Sequence, residues 1–282
     1  LKGYFMQQVN YIKNLTSSVY CQNTKSNFAR NTDFHIHDCC EIYYLSEGSV
    51  TIYVNQSCYV LKAGDLLLMS NLEIHKTLAH TGFDFNRKIV HVHPNYARQY
   101  STHQTDLLTC FYNHPIGIQN LIHLDTIKQK QYESYFERLN APSSQNYGDD
   151  LLKKTTLIDL MVSINIWQQS QDKIVEPVCD ERLVPIMNYI ENHLSENFSL
   201  DDIANANFMD RYYMCHLFKK LTGSSIFQYV LMKRIALSKE LLMKGNTVTS
   251  TCSMAGFNDY SNFIRTFKKI TGYTPGYFRK HI

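Results

Sequence analysis

The 282-residue chain has little of what marks enzymes that act on nucleotides, esters or peptides. Its 11 glycines build no phosphate-cradling loop, and neither a GxSxG elbow nor an HExxH pair occurs. The chain is therefore expected not to be an enzyme. Long apolar runs are missing too: stretches such as 66–69 are a few residues long, where a membrane-crossing helix needs about 20. No membrane association is expected. The opening residues LKGYFMQQVN show no basic start, apolar run or small-residue cleavage site, so a cytoplasmic protein is expected. Eight cysteines at 21, 39, 40, 58, 110, 179, 215 and 252 form no CxxC pair, which argues for reduced thiols.

What is present suits two globular domains: 44% of residues are hydrophobic and 19% charged. The net charge of +3 is unevenly spread. Up to Glu181 there are 15 basic and 18 acidic residues, and beyond it 13 basic and 7 acidic. The basic tail points to a polyanion, most economically nucleic acid.

Residues 34–93 alternate short strand-like runs (EIYYL, VTIYV, CYVL, DLLLM, RKIVHVH) with turn signals at Gly48, Asn55 and Gly64, which predicts an antiparallel barrel or sandwich. Helical spacing follows over 126–139 and 149–169. The segment QDKIVEPVCDE around Pro177 has neither period and marks a domain boundary. The expected class is α+β. Its parts are a barrel over 1–125, a helical dimerisation and connector region over 126–172, a linker over 173–182, and an all-α domain over 183–282.

The last region repeats itself. FKKLTG at 218–223 returns as FKKITG at 267–272, and at the same offset of 49 Asp210 matches Asp259, Phe208 matches Phe257 and Asn207 matches Gly256. Asn and Gly readily take a positive φ, so Asn207 and Gly256 are expected to turn the chain. In the first copy Ser199 and Asp202 form a capping box, and Asp210 caps a second helix with an inner stripe of Met214, Leu217, Phe218 and Leu221. Its outer stripe is Arg211, Tyr212, Cys215, His216 and Lys219. In the second copy Phe263, Phe267 and Ile270 face inward, leaving Tyr260, Ser261, Ile264, Arg265 and Lys268 outside. One copy alone would suit an ordinary helical hairpin. Two copies around a helix over 226–244, about 28 Å long at ~1.5 Å per residue, suit two helix-turn-helix units reading successive major grooves about 34 Å apart.

At this point the last hundred residues resemble the AraC/XylS transcriptional regulators. The resemblance is carried by SLDDIA at 199–204, LFKKLTG at 217–223, RIALSKELL at 234–242, AGF at 255–257 and TFKKITGYTPGYFRK at 266–280. It implies that the second helix of each unit enters the major groove. The base-facing candidates are then Arg211, Tyr212, Cys215 and His216 in one unit, and Tyr260, Ser261, Asn262 and Arg265 in the other. Arg265 can donate two bonds to a guanine edge and His216 one to a base or phosphate. Lys219, Lys220, Lys268, Lys269, Arg279 and Lys280 suit phosphate contacts, or plain solvated surface.

In the front domain HIHDCCE, then Gly48 and a later GDLLLMSNLEIH, resembles the cupin barrel. Metal-binding cupins use an HxH, a Glu four residues on and a later His, positions filled here by His35, His37, Glu41 and His75. Residues 35, 37 and 41 share strand parity and can face one interior. Two readings stay open. In the favoured one, His35, His37, Glu41, Tyr43 and His75 hydrogen-bond a small-molecule effector with hydroxyl groups, such as a carbohydrate, and no cofactor is needed. In the alternative, His35, His37, Glu41 and His75 hold a divalent metal, for an enzyme or a metal sensor. His91, His93, His103, His114 and His123 have no ligand-like context. The expected function is a transcription regulator, with activation the mode the family implies. Its expected partners are double-stranded DNA, an effector, RNA polymerase and a second copy of the chain. An inert barrel used only for dimerisation remains a third possibility.

Overall fold

The computed structural model describes residues 19–26, 33–79, 84–142, 146–170 and 177–281. Strands β1 (Val19–Ser26), β2 (Cys40–Glu47), β3 (Ser49–Val54), β4 (Ser57–Lys62), β5 (Asp65–Met69), β6 (His75–Ala79) and β7 (Phe85–Val92) come first. The short helices α1 (Pro94–Arg98) and α2 (Thr109–Tyr112) lead to β8 (Leu121–His123). All pairings are antiparallel, in a five-stranded sheet of order β1-β7-β2-β5-β8 and a three-stranded sheet of order β4-β3-β6. This is the expected barrel-like domain. The strands β1 and β8 were not expected, since VYCQNTKS is too polar and LIH too short to carry a strand pattern.

Strand parity separates two cores. From β2, Tyr43 and Leu45 enter the barrel interior with Ile52, Tyr59, Leu67 and Ile89. Cys40, Ile42 and Tyr44 point the other way, onto α3 (Thr126–Asn140) and α4 (Asp149–Gln169). These helices bury Tyr132, Phe136, Leu157, Leu160, Met161 and Ile164 against the sheet. Most apolar residues of these two helices are thus covered within the chain, while Ile127, Leu151, Leu152 and Ile166 stay exposed. Of the expected linker, residues 173–176 lie outside the described residues. Just beyond, the Val178 amide donates to the Cys58 carbonyl at 2.7 Å, tying the chain to β4.

The remaining residues fold as α5 (Val184–Asn192), α6 (Leu200–Ala206), α7 (Arg211–Thr222), α8 (Ile226–Met243), α9 (Val248–Met254), α10 (Tyr260–Thr271) and α11 (Pro275–His281). The capping box at Ser199 and Asp202 forms, and Asp210 and Asp259 cap α7 and α10. The turns differ from expectation. Asn207 has φ −104° and it is Phe208 that takes φ +52°, whereas Gly256 takes φ +78°. The reason is a one-residue difference in turn length. Counted from the caps Ser199 and Thr247 the copies are offset by 48 residues, and from Asp210 and Asp259 by 49. Phe208 is therefore the structural partner of Gly256.

The two domains are packed together. Phe34, Ile36, Tyr53, Cys58 and Ile74 of the barrel belong to the same apolar cluster as Ile226, Tyr229, Met232 and Phe278. Tyr53 donates to the Leu221 carbonyl at 3.1 Å. Among the described residues all eight cysteines are free thiols, and no helix is long and apolar enough to cross a membrane.

Candidate functional site

The sequence places Glu41 and the histidines in separate segments, and strand register brings them together. Glu41 on β2 stands directly opposite His91 on β7, and His35 and His75 form an isolated antiparallel bridge with reciprocal backbone bonds of 3.0 Å. The result is a cluster of four imidazoles around one carboxylate. Glu41 Oε2 lies 2.8 Å from His91 Nε2, 3.0 Å from His37 Nε2 and 3.5 Å from His75 Nε2. The ligand atoms of His35, His37 and His75 all lie within 4.8 Å of one another. His75, His91 and Glu41 are buried, while His35 and His37 are half-buried.

Three of the rings are oriented by backbone carbonyls. Nδ1 of His35 lies 3.0 Å from the Asp33 carbonyl, Nδ1 of His37 2.8 Å from that of Cys39, and Nδ1 of His75 3.0 Å from that of Glu73. A carbonyl only accepts, so each Nδ1 carries a proton and each neutral ring turns a bare Nε2 lone pair inward. Burial pushes His35 down to about 3, with His75 and His37 adding to the effect. Burial likewise pushes His37 down to about 4, against its hydrogen bond to Glu41. In His75 burial acts in the same direction but Glu41 outweighs it, leaving the pKa above its ordinary value. Burial alone would raise Glu41. The charge of His91 and the bonds from His37, His75 and His91 override it and hold the carboxyl well below the usual carboxylate range. With Nδ1 of His37 on the Cys39 carbonyl, its 3.0 Å contact to Glu41 Oε2 is a hydrogen bond only when a proton sits on Nε2 or is shared between the two groups. The donor set suits a divalent transition metal, with His35, His37, Glu41, His75 and His91 as the groups able to hold it.

The structure brings together four of the five effector candidates and adds His91. Its pairing with Glu41 depends on the β2/β7 register, and the only hint in the sequence is that 89 and 91 share the parity of an inward face. Tyr43 lies one pleat further along β2, where Arg87 sits 5.7 Å over its ring, and its hydroxyl makes no hydrogen bond to the cluster among the described residues. His123 lies elsewhere, 2.6 Å from Asp65.

The cluster touches the helical domain. Lys239 of α8 is fully buried and sends its ammonium to the carbonyls of His37 (2.9 Å) and Asn71 (2.8 Å) and to Asp38 Oδ1 (2.9 Å). Three acceptors match its three donors, which offsets the cost of burying the charge. In the reverse direction Lys76 of β6 is buried and donates to Ser224 Oγ at 2.9 Å. A cleft of about 190 Å³ beside the Lys239 contact, lined by Asp38, Asn71, His93, Arg98, Tyr273 and Tyr277, is below the ~300 Å³ of an ordinary small-molecule site.

On α7 the residues Arg211, Tyr212, His216 and Lys219 are exposed and Cys215 is half-buried, while Met214, Leu217 and Phe218 are buried. On α10 Tyr260, Ser261, Asn262, Arg265 and Lys268 are exposed over buried Phe263 and Phe267. Two of the arginines are already engaged: Arg211 pairs with Asp201 at 2.9 Å and Arg265 donates to Asn262 at 3.1 Å. Both contacts are solvent-exposed, and such a pair is worth about 0–1 kcal/mol, so either side chain is easily released to another acceptor.

Comparison with known proteins covers both domains. Residues 26–161 match the family described as the AraC-like ligand binding domain, and residues 203–281 match the helix-turn-helix domain. An uncharacterized HTH-type transcriptional regulator, YdeC of Bacillus subtilis, is 24% identical over 254 residues, covering 87% of this chain and 85% of its own. The arabinose operon regulatory protein of Salmonella typhimurium is 24% identical over 237 residues, 82% of this chain and 80% of its own. The transposon Tn10 TetD protein of Escherichia coli is 31% identical over 97 residues, 34% of this chain and 70% of its own. A sensor-type barrel joined to two capped helix-turn-helix units, each matched over its own length of sequence, places this chain in the AraC family of transcriptional regulators.

Proposed function

We propose that this regulator is an effector-responsive activator whose barrel controls how its two helix-turn-helix units engage promoter DNA. The observation that carries the reading is Lys239, one side chain of α8 that grips the carbonyl of His37 within the polar cluster of the barrel. A ligand that binds more tightly to one packing of the two domains shifts the population toward it, and equal affinity would shift nothing. The inward ring nitrogens of His35, His37 and His75 beside the Glu41 carboxylate suit a polar effector that exchanges hydrogen bonds with them. Tyr43 lines the interior behind them.

In this reading Arg211, Tyr212, Cys215 and His216 on α7, and Tyr260, Ser261, Asn262 and Arg265 on α10, face base edges and sugars. Lys219 and Lys268 contact phosphates, giving affinity without sequence information. Exposed Leu151, Leu152, Ile127 and Ile166 on α3 and α4 support pairing of two protomers, and contact with RNA polymerase completes activation. No catalytic step is assigned, and work on promoter DNA puts the protein in the bacterial cytoplasm.

The test is selection of bound duplexes from a random pool by the full chain, followed by mapping of the selected motif in the source genome. A recurrent two-part motif upstream of genes supports the reading. Retention of DNA without sequence preference contradicts it.

A further inference from the structure

We propose that the cleft at the domain junction is a second ligand site, separate from the barrel cluster, and that it takes an aromatic carboxylate of a single ring. The inference adds a site to the regulator reading above, and binding at it does not depend on that reading.

Size narrows the ligand first. A volume of about 190 Å³ exceeds the ~150 Å³ of a protein cavity that holds benzene and falls short of the ~300 Å³ of an ordinary small-molecule site. One ring with a small substituent fits, and a disaccharide or a nucleotide does not. Charge narrows it further. Asp38 is the one carboxylate of the lining, and Lys239 neutralises it at 2.9 Å. Arg98 is exposed, donates Nη1 to Asn95 Oδ1 at 2.8 Å and forms no ion pair among the described residues. The lining is thus net positive, and the remaining edge of a guanidinium takes a carboxylate through two parallel bonds.

Two further groups of the lining are donors. His93 takes the Asn95 amide on Nδ1 at 3.2 Å, which puts its ring proton on Nε2, and Asn71 takes the Tyr112 hydroxyl on Oδ1 at 2.7 Å, which leaves its side-chain amide to donate. The helical domain supplies an aromatic wall. Tyr273, Tyr277 and His281 recur every four residues and stack in parallel, with ring centroids 4.9 Å apart at 10° and 4.0 Å apart at 15°. Tyr277 is 48% exposed, so the stack stands outside the core that Phe278 enters. A flat ring packs against such a ladder by offset stacking or edge contact. Asn71, His93 and Arg98 belong to the barrel domain and the stacked rings to the DNA-binding domain, so a ligand that touches both is held only while the two are packed. It therefore raises the population of the packed arrangement.

The experiment titrates the full chain with benzoate, with benzamide, which keeps the ring and loses the charge, and with cyclohexanecarboxylate, which keeps the charge and loses the flat ring. Benzoate is expected to bind with Kd at or below about 1 mM, an ordinary efficiency for so small a ligand, and the other two about 10-fold more weakly. Arg98→Gln is expected to weaken benzoate about 10-fold or more and to leave benzamide unchanged, because only the acid uses the guanidinium. Tyr277→Ala is expected to weaken both. Hydrogen exchange is expected to slow on benzoate addition in residues 93–98 and 273–281 together. Absence of benzoate binding at 10-fold the expected Kd, equal binding of all three probes, or benzoate binding that survives Arg98→Gln overturns the site. Slowed exchange confined to β2 and β7 places the acid in the barrel and also overturns it. Arg98-dependent binding that protects only one of the two segments overturns the bridging of the domains. None of these results touches selection of DNA by the same preparation, which tests the regulator reading separately.

Discussion

The ammonium of Lys239 lies 2.9 Å from the carbonyl of His37, so a residue of the central helix and a residue of the barrel cluster share one hydrogen bond across the domain boundary. Lys239→Met keeps the length of the side chain but leaves Asp38 and the Asn71 and His37 carbonyls without this donor. Asp38 is partly exposed, which limits the penalty. The full chain is expected to lose about 1–3 kcal/mol, the cost of unsatisfied buried acceptors, read as a lower urea midpoint. An unchanged midpoint would show that the domains do not depend on this contact.

Arg265 and Lys268 lie three residues apart on the exposed face of α10 and separate two kinds of contact. Arg265→Ala is expected to cost about 1–3 kcal/mol on the selected site and to relax preference at one base pair. Lys268→Ala is expected to weaken all duplexes alike and to reduce the salt slope of log K by about 1. Fluorescence anisotropy over a salt series with single-base variants of the site reads both.

The two turns predict opposite responses at equivalent positions. Phe208 is 99% exposed at φ +52°, so Phe208→Gly relieves a left-handed backbone and is expected to change stability by about 0 to +1 kcal/mol. At Gly256, φ is +78° and an added Cβ would sit 2.5 Å from the Leu194 carbonyl oxygen. Gly256→Ala is expected to destabilise by more than about 1 kcal/mol, measured by denaturant unfolding.

Pairing through α4 is expected to depend on Leu151 and Leu152, 57% and 66% exposed. Analytical ultracentrifugation of the wild type is expected to give a dimer, and the double variant Leu151→Ser, Leu152→Ser a monomer. A wild-type monomer, or a dimer in both, would place the contact elsewhere.

Much of this architecture is written in local patterns. The helix over 149–169 is found at Asp149–Gln169, and the caps Ser199, Asp210 and Asp259 begin the helices they were expected to begin. Local patterns fail where pairing decides. His91 gains its place only when β7 lies beside β2 in a register that sets it opposite Glu41, and a one-residue slip would turn it to the other face. Phe208 and not Asn207 takes the left-handed turn because the offset of 49, which holds from Asp210 onward, fails before the turn. Lys239 sits in an apolar-rich helix, and its three acceptors come from segments some 170 to 200 residues earlier in the chain, a convergence that no single stretch of sequence reveals.

The most direct test of the account is a hydroxyl-radical footprint of the full chain on its selected site. Two protected windows about 34 Å apart on one face of the duplex are expected, one erased by His216→Ala and the other by Arg265→Ala. A single window, or two that survive both substitutions, would contradict the paired reading of DNA by α7 and α10.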